Sequence, residues 1–93
     1  MYAVIRAYTG NSDLADKLAE HEEDIRRLIG AIKGFKAYYL LKLPEGTSTI
    51  SVFEDQEGAE ESTRAAGAWL AENLPDVNVA APYVTAGNVL VDF

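Results

Sequence analysis

The chain contains no cysteine, which removes disulfides, thiolate metal sites and cysteine nucleophiles together. It has a single histidine, His21, so a multi-histidine metal centre cannot form within one chain. Positive charge is scarce: eight basic against fifteen acidic residues leave a formal net charge of −7. Phosphate neutralisation needs a concentrated basic face, so DNA and RNA are not expected partners. An anionic membrane surface is disfavoured for the same reason. No apolar run approaches the roughly 20 residues of a membrane helix. The opening Met1-Tyr2-Ala3-Val4-Ile5-Arg6 lacks the basic start and cleavage site of a signal peptide. The expectation is a cytoplasmic protein, with residues 1–93 forming one domain.

What is present is a regular alternation of element types. Tyr2 to Tyr8 is rich in β-formers, and Thr9 to Asp13 is a cluster of turn and N-cap residues. Leu14, Leu18, His21, Ile25, Leu28 and Ile32 then draw one stripe along a helix to about Lys33, with Gly34 as C-cap. Phe35 to Leu43 reads as a strand, Pro44 to Thr47 as a hairpin connection, and Ser48 to Glu54 as the returning strand. Asp55 is placed to cap a second helix that runs to about Leu74 and stops at Pro75. Val77 to Pro82 is a connector, and Tyr83 to Val91 the last strand. This order predicts an α+β fold of the ferredoxin-like β-α-β-β-α-β type, with an antiparallel sheet and both helices on one face.

The strands predict a partner. A sheet with helices on one side and water on the other should alternate apolar and polar residues. Here Phe35, Ala37, Tyr39, Leu41 and Leu43 oppose Tyr38 and Leu40, Ile50 and Val52 oppose Phe53, and Val84 and Leu90 oppose Tyr83, Val89 and Val91. Two helices cover one face only. The other would expose a larger apolar patch than a soluble monomer tolerates, and a second copy stacked on it removes that surface. A homodimer is therefore expected. It also enlarges the core of a short chain, which by itself buries only about 60–65% of its unfolded surface.

Gly34-Phe35 after the first helix, Gly46 in the hairpin, and Phe53-Glu54 closing the third strand carry a resemblance. In this stretch the chain resembles the dimeric α+β barrel superfamily, which includes the antibiotic-biosynthesis monooxygenases. The resemblance implies a homodimeric barrel with a pocket in each subunit between the sheet and its own helices. It implies a cofactor-independent monooxygenase acting on a small flat aromatic or quinol-like compound. The alternatives are a non-catalytic binding or sensing module, or a structural dimer. The polyketide-quinone oxygenases of that superfamily place an asparagine in the third strand, a tryptophan soon after, and an arginine nearer the C-terminus. Those first two positions fall on Ser51 and Asp55, and the last strand holds no arginine. The haem-degrading branch uses an asparagine, a helix tryptophan and a histidine ligand. Trp69 matches the tryptophan, but no histidine follows His21. Metal, haem and flavin are all expected to be absent from the purified protein.

Six residues stand out as candidates for lining a pocket: Trp69, Ser51, His21, Tyr39, Ser62 and Arg6. Trp69 follows the small run Ala65-Ala66-Gly67-Ala68, which suits either an apolar slot for a flat ligand or close helix packing. A glycine inside a helix costs about 1 kcal/mol against alanine, so Gly67 calls for a packing or pocket reason. His21 interrupts the apolar stripe with a titratable ring. Arg6 is a charge inside a strand of a greasy sheet, predicted to pair with an acid at the dimer seam or to meet a carboxylate or enolate ligand. Ser51 has no histidine partner in view, which argues against triad chemistry.

Overall fold

A computed structural model describes residues 1–77 and 81–93. Four strands, β1 (Tyr2–Thr9), β2 (Phe35–Leu43), β3 (Gly46–Phe53) and β4 (Tyr83–Asn88), form one antiparallel sheet in the order β2-β3-β1-β4. Three helices, α1 (Asp13–Glu20), α2 (Glu22–Gly30) and α3 (Gln56–Asn73), accompany it. This is the ferredoxin-like α+β arrangement predicted from the element order. None of the described helices is long and apolar enough to cross a membrane.

The first helix differs from expectation because it breaks in two. At His21 the backbone leaves helical geometry (φ −106°, ψ 28°), and its N–H bonds Leu18 O at 3.0 Å, a tighter turn. The stripe continues across the break, but Ile29 joins Leu14, Leu18 and Ile25 as its buried members. α2 ends at Gly30, four residues short of Gly34. Gly34 instead occupies a left-handed turn (φ +85°) whose carbonyl accepts Glu54 N–H at 2.8 Å, pinning the entry of β2 to the exit of β3.

A bulge between Phe35 and Ala37 in β2 changes one side-chain direction. Phe35 turns to the helix side, where it meets Phe53 edge-to-face at 5.9 Å, rather than sharing a face with Tyr39 and Leu41. β4 stops at Asn88, three residues before the predicted Val91. Tyr2 is the last β1 residue available to pair, and only Val89 N–H to Met1 O at 2.9 Å extends the ladder.

The core lies between helices and sheet, from Val4 and Tyr8 of β1 and Phe53 of β3 to Leu14, Leu18, Ile25, Ile29 and Ala59. Asp55 caps α3, its side chain accepting Gly58 N–H at 3.1 Å. Gly58 is the glycine that lets α3 approach: a Cβ there would lie 3.0 Å from both Lys33 O and Phe53 Cδ1. Gly67, predicted from composition to serve close packing or a pocket, has nothing within 4 Å of where its Cβ would be.

Candidate functional site

The site grows from the inner, helix-facing side of β1 and β3. Strand alternation sends Val4, Arg6 and Tyr8 inward from β1, and Thr47, Thr49, Ser51 and Phe53 inward from β3. Arg6 is 1% exposed. It lies on the helix side, away from the outer sheet face that the sequence offers as a dimer seam. No carboxylate among the described residues comes within ion-pair distance of it. Residues 78–80 are Asn-Val-Ala and add no acid.

Neutral hydroxyls surround the guanidinium instead. Arg6 Nε donates to Thr49 Oγ1 at 3.1 Å, and Nη2 to Ser51 Oγ at 2.7 Å. Nη1 donates to Ser62 Oγ at 3.1 Å and Thr63 Oγ1 at 3.0 Å, from one turn of α3. Ser62 passes its own proton to Ala59 O at 2.6 Å. Thr49 and Ser51 find no acceptor for theirs among the described residues. These contacts supply hydrogen bonds but no opposing charge. Burial lowers the Arg6 pKa from its ordinary value, with Tyr8 and Tyr38 pulling the other way. A guanidinium still holds its proton at physiological pH.

Two cavities that share a wall, and an open groove, adjoin this cluster. The larger, about 330 Å³, lies between α1–α2 and β2, with Leu18, Ile25, Ile29, Phe35, Tyr38 and Leu40 as its apolar lining. Glu22 and Arg26, paired at 2.7 Å, also line it. The smaller, about 20 Å³, has room for one water-sized group and is bordered by Arg6, Tyr8, Tyr38, Thr49 and Trp69. Leu18, Ile25, Ile29 and Tyr38 line both. Neither tyrosine hydroxyl bonds to another described residue, and no sealed side-chain polar atom lacks a partner. Neither hydroxyl finds an acceptor among the described residues. Burial raises the Tyr8 pKa and pushes Tyr38 up to about 12, with Arg6 opposing each shift, so both phenols are neutral donors at physiological pH.

Of the six residues singled out in the sequence, Arg6, Ser51 and Ser62 meet directly, and Trp69 joins Arg6 at the small cavity. His21 lines none of the cavities. It meets Trp69 edge-on at 5.2 Å from the outside, while its Nδ1 lies 3.4 Å from Asp24 Oδ2. Tyr39 pairs with Ile50 on the opposite face of the sheet, 58% exposed. Gly67 borders an open groove of about 600 Å³ that Arg6, Tyr8, Thr63 and Leu74 also line, and Trp69 does not. Tyr8, Tyr38, Thr49 and Thr63 complete the cluster. The signal for Thr49 was the polar alternation Thr47, Thr49, Ser51 against Ile50 and Val52. Among the described residues no group of acidic or histidine side chains is arranged to hold a metal ion.

No family model and no curated protein matches the sequence. Solved structures do match. NE2512 of Nitrosomonas europaea, a protein of unknown function, is 18% identical, with a TM-score of 0.71 over 99% of this chain and 91% of that one. MhuD of Mycobacterium tuberculosis, a heme-degrader solved with two hemes in its active site, is 15% identical, with a TM-score of 0.71 over 100% and 99%. SnoaB of Streptomyces nogalater, a cofactor-independent oxygenase, is 13% identical, with a TM-score of 0.60 over 98% and 93%. The ferredoxin-like fold is shared with these proteins, with two putative antibiotic biosynthesis monooxygenases and with a dimeric ferredoxin-like protein, in keeping with the resemblance around Gly34-Phe35 and Phe53-Glu54. At these identities the likeness is one of fold.

Proposed function

We propose that this protein is a homodimer in which each subunit binds a small flat molecule between α1–α2 and β2, and oxygenates it without a cofactor. The observation that carries the reading is the apolar cavity of about 330 Å³, a volume suited to a small ligand, which adjoins a polar cluster at its inner end. Phe35, Tyr38 and Leu40 offer flat or branched apolar surface to a ring system. The homodimer is supported by the outer sheet face, where Ile5, Tyr39, Leu41 and Tyr83 are exposed.

In a cofactor-free oxygenation the substrate supplies every electron. A ring CH2 group and O2 become a ring C=O group and water: one oxygen atom enters the product, the other leaves as water. The chain's part is to hold the ring system, exclude bulk water and steady the oxygen that becomes negative as the ring carbon gives up its proton. Arg6, Thr49, Tyr8 and Tyr38 are all donors, suited to that last task. The histidine ligand of the haem-degrading branch has no counterpart here, because the only histidine, His21, lines none of the described cavities.

One observation favours binding without chemistry. Glu22 lines the outer cavity but is tied to Arg26, and no carboxylate or imidazole borders the inner one, so no evident base stands beside a ring carbon. Oxygen uptake by the purified protein with a panel of fused-ring phenols and quinols decides between the two. The enzyme reading expects one O2 consumed per product, with one labelled atom from 18O2 retained. Saturable Trp69 quenching without oxygen uptake would support the binding reading. Neither signal across the panel would sink both.

A further inference from the structure

Arg6 is a buried cation with hydrogen-bond acceptors around it but no anion. Desolvating a guanidinium is costly, and neutral hydroxyls return only part of that cost. The groups beside it are also unusual in what they lack. Thr49, 3% exposed, and Ser51, 0% exposed, accept from Arg6 but have no acceptor for their own protons among the described residues. Tyr8, 5% exposed, leaves its hydroxyl without an acceptor among the described residues. Tyr38 does the same from the wall shared by the two cavities. Arg6, Thr49, Tyr8 and Tyr38 thus border one space with room for a single water-sized group, and the three hydroxyls have no acceptor among the described residues.

We propose that this space is an anion subsite, and that the molecule bound in the apolar cavity carries an ionised oxygen, as a carboxylate, enolate or phenolate, which seats against Arg6, Thr49, Tyr8 and Tyr38. This rests on the proposed use of the larger cavity for the ring system, and it adds the ligand's charge. The body of the ligand lies among Leu18, Ile25, Ile29 and Phe35, with one oxygen of its anionic group passing Tyr38 to the inner end. The arrangement selects against the neutral isostere, which would leave the guanidinium charge unanswered. It also sets an order of events: the oxygen arrives ionised or loses its proton to water, since none of the four groups is a base.

The test compares 2-naphthoate with 2-naphthamide, which share ring system and shape but differ in charge. Dissociation constants come from Trp69 fluorescence and are checked by calorimetry. The wild-type protein should bind the carboxylate at least about tenfold more tightly. Thr49→Val, which removes one donor at constant volume, should narrow that ratio without weakening the amide. Arg6→Met should abolish it. Equal affinities in the wild type, or a ratio unmoved by Thr49→Val, would overturn the proposal. If neither naphthalene binds, the cavity reading fails separately, and formate then decides the subsite. Formate should raise the melting temperature above that in chloride at equal ionic strength, and Thr49→Val should reduce the gain. No gain over chloride would end the proposal even then.

Discussion

On the side of the sheet turned towards the helices, β3 offers Thr47, Thr49 and Ser51, whereas on the other side it offers Ile50 and Val52. β1 departs at one position, with Arg6 inward between the core residues Val4 and Tyr8, and Ile5, 40% exposed, outward. A lone two-layer domain would be built the other way, apolar inside and polar outside. The inner face thus accepts the cost of burying polar groups, and the outer face leaves apolar area uncovered. Each departure marks a surface that something else must complete. For the inner face the proposed complement is a ligand oxygen, and for the outer face a second copy of the chain.

The comparison breaks most sharply at Phe53 and Ile5. Phe53 is 0% exposed on the inner face, so Phe53→Ala should cost about 3–5 kcal/mol in denaturant unfolding, a large part of the stability of so small a chain. Ile5→Glu, on the outer face, should leave the circular dichroism spectrum intact and halve the mass seen by light scattering. A dimer that survives Ile5→Glu would show that the outer face is not the seam.

Alkali probes the inner face through Tyr38. The Tyr38 pKa is raised by burial to about 12, so the native state keeps a proton that the unfolded chain loses from about pH 10. The resulting stabilisation is complete below pH 10 and lost as pH rises towards 12. Unfolding measured across that window should show a decline of about 2 kcal/mol attributable to this group, and Tyr38→Phe should flatten it. An unchanged slope in Tyr38→Phe would mean the phenol is not held neutral by its surroundings.

The smallest effects contrast two glycines of α3. Gly58→Ala should destabilise, because its Cβ would press on Lys33 O and Phe53 at 3.0 Å. Gly67→Ala meets open space and should stabilise by up to about 1 kcal/mol through helix propensity. Thermal melts of the two variants moving in the same direction would contradict this.

Much of the fold was legible because its signals are local. Phe35 to Leu43 was bounded correctly by Gly34 and Pro44, and Asp55 announced the cap of α3. The break at His21 was hidden, since the apolar stripe runs on through it. The bulge at Lys36 was hidden too, because period-two alternation cannot show a skipped partner. Composition raised Gly67, but only packing distinguishes it from Gly58. For the site, Arg6 was conspicuous as a charge in a strand, while its neighbours were not. Ser62 and Thr63 lie more than 50 positions away on α3, and only the crossing of α3 over β1 and β3 brings them to the guanidinium.

Native mass spectrometry of the protein with 2-naphthoate tests both faces in one spectrum. An inner-face ligand site and an outer-face seam predict two chains of 10.1 kDa carrying two ligands, one per subunit. A monomer carrying ligand, or a dimer that saturates with a single ligand shared at the seam, would contradict the account.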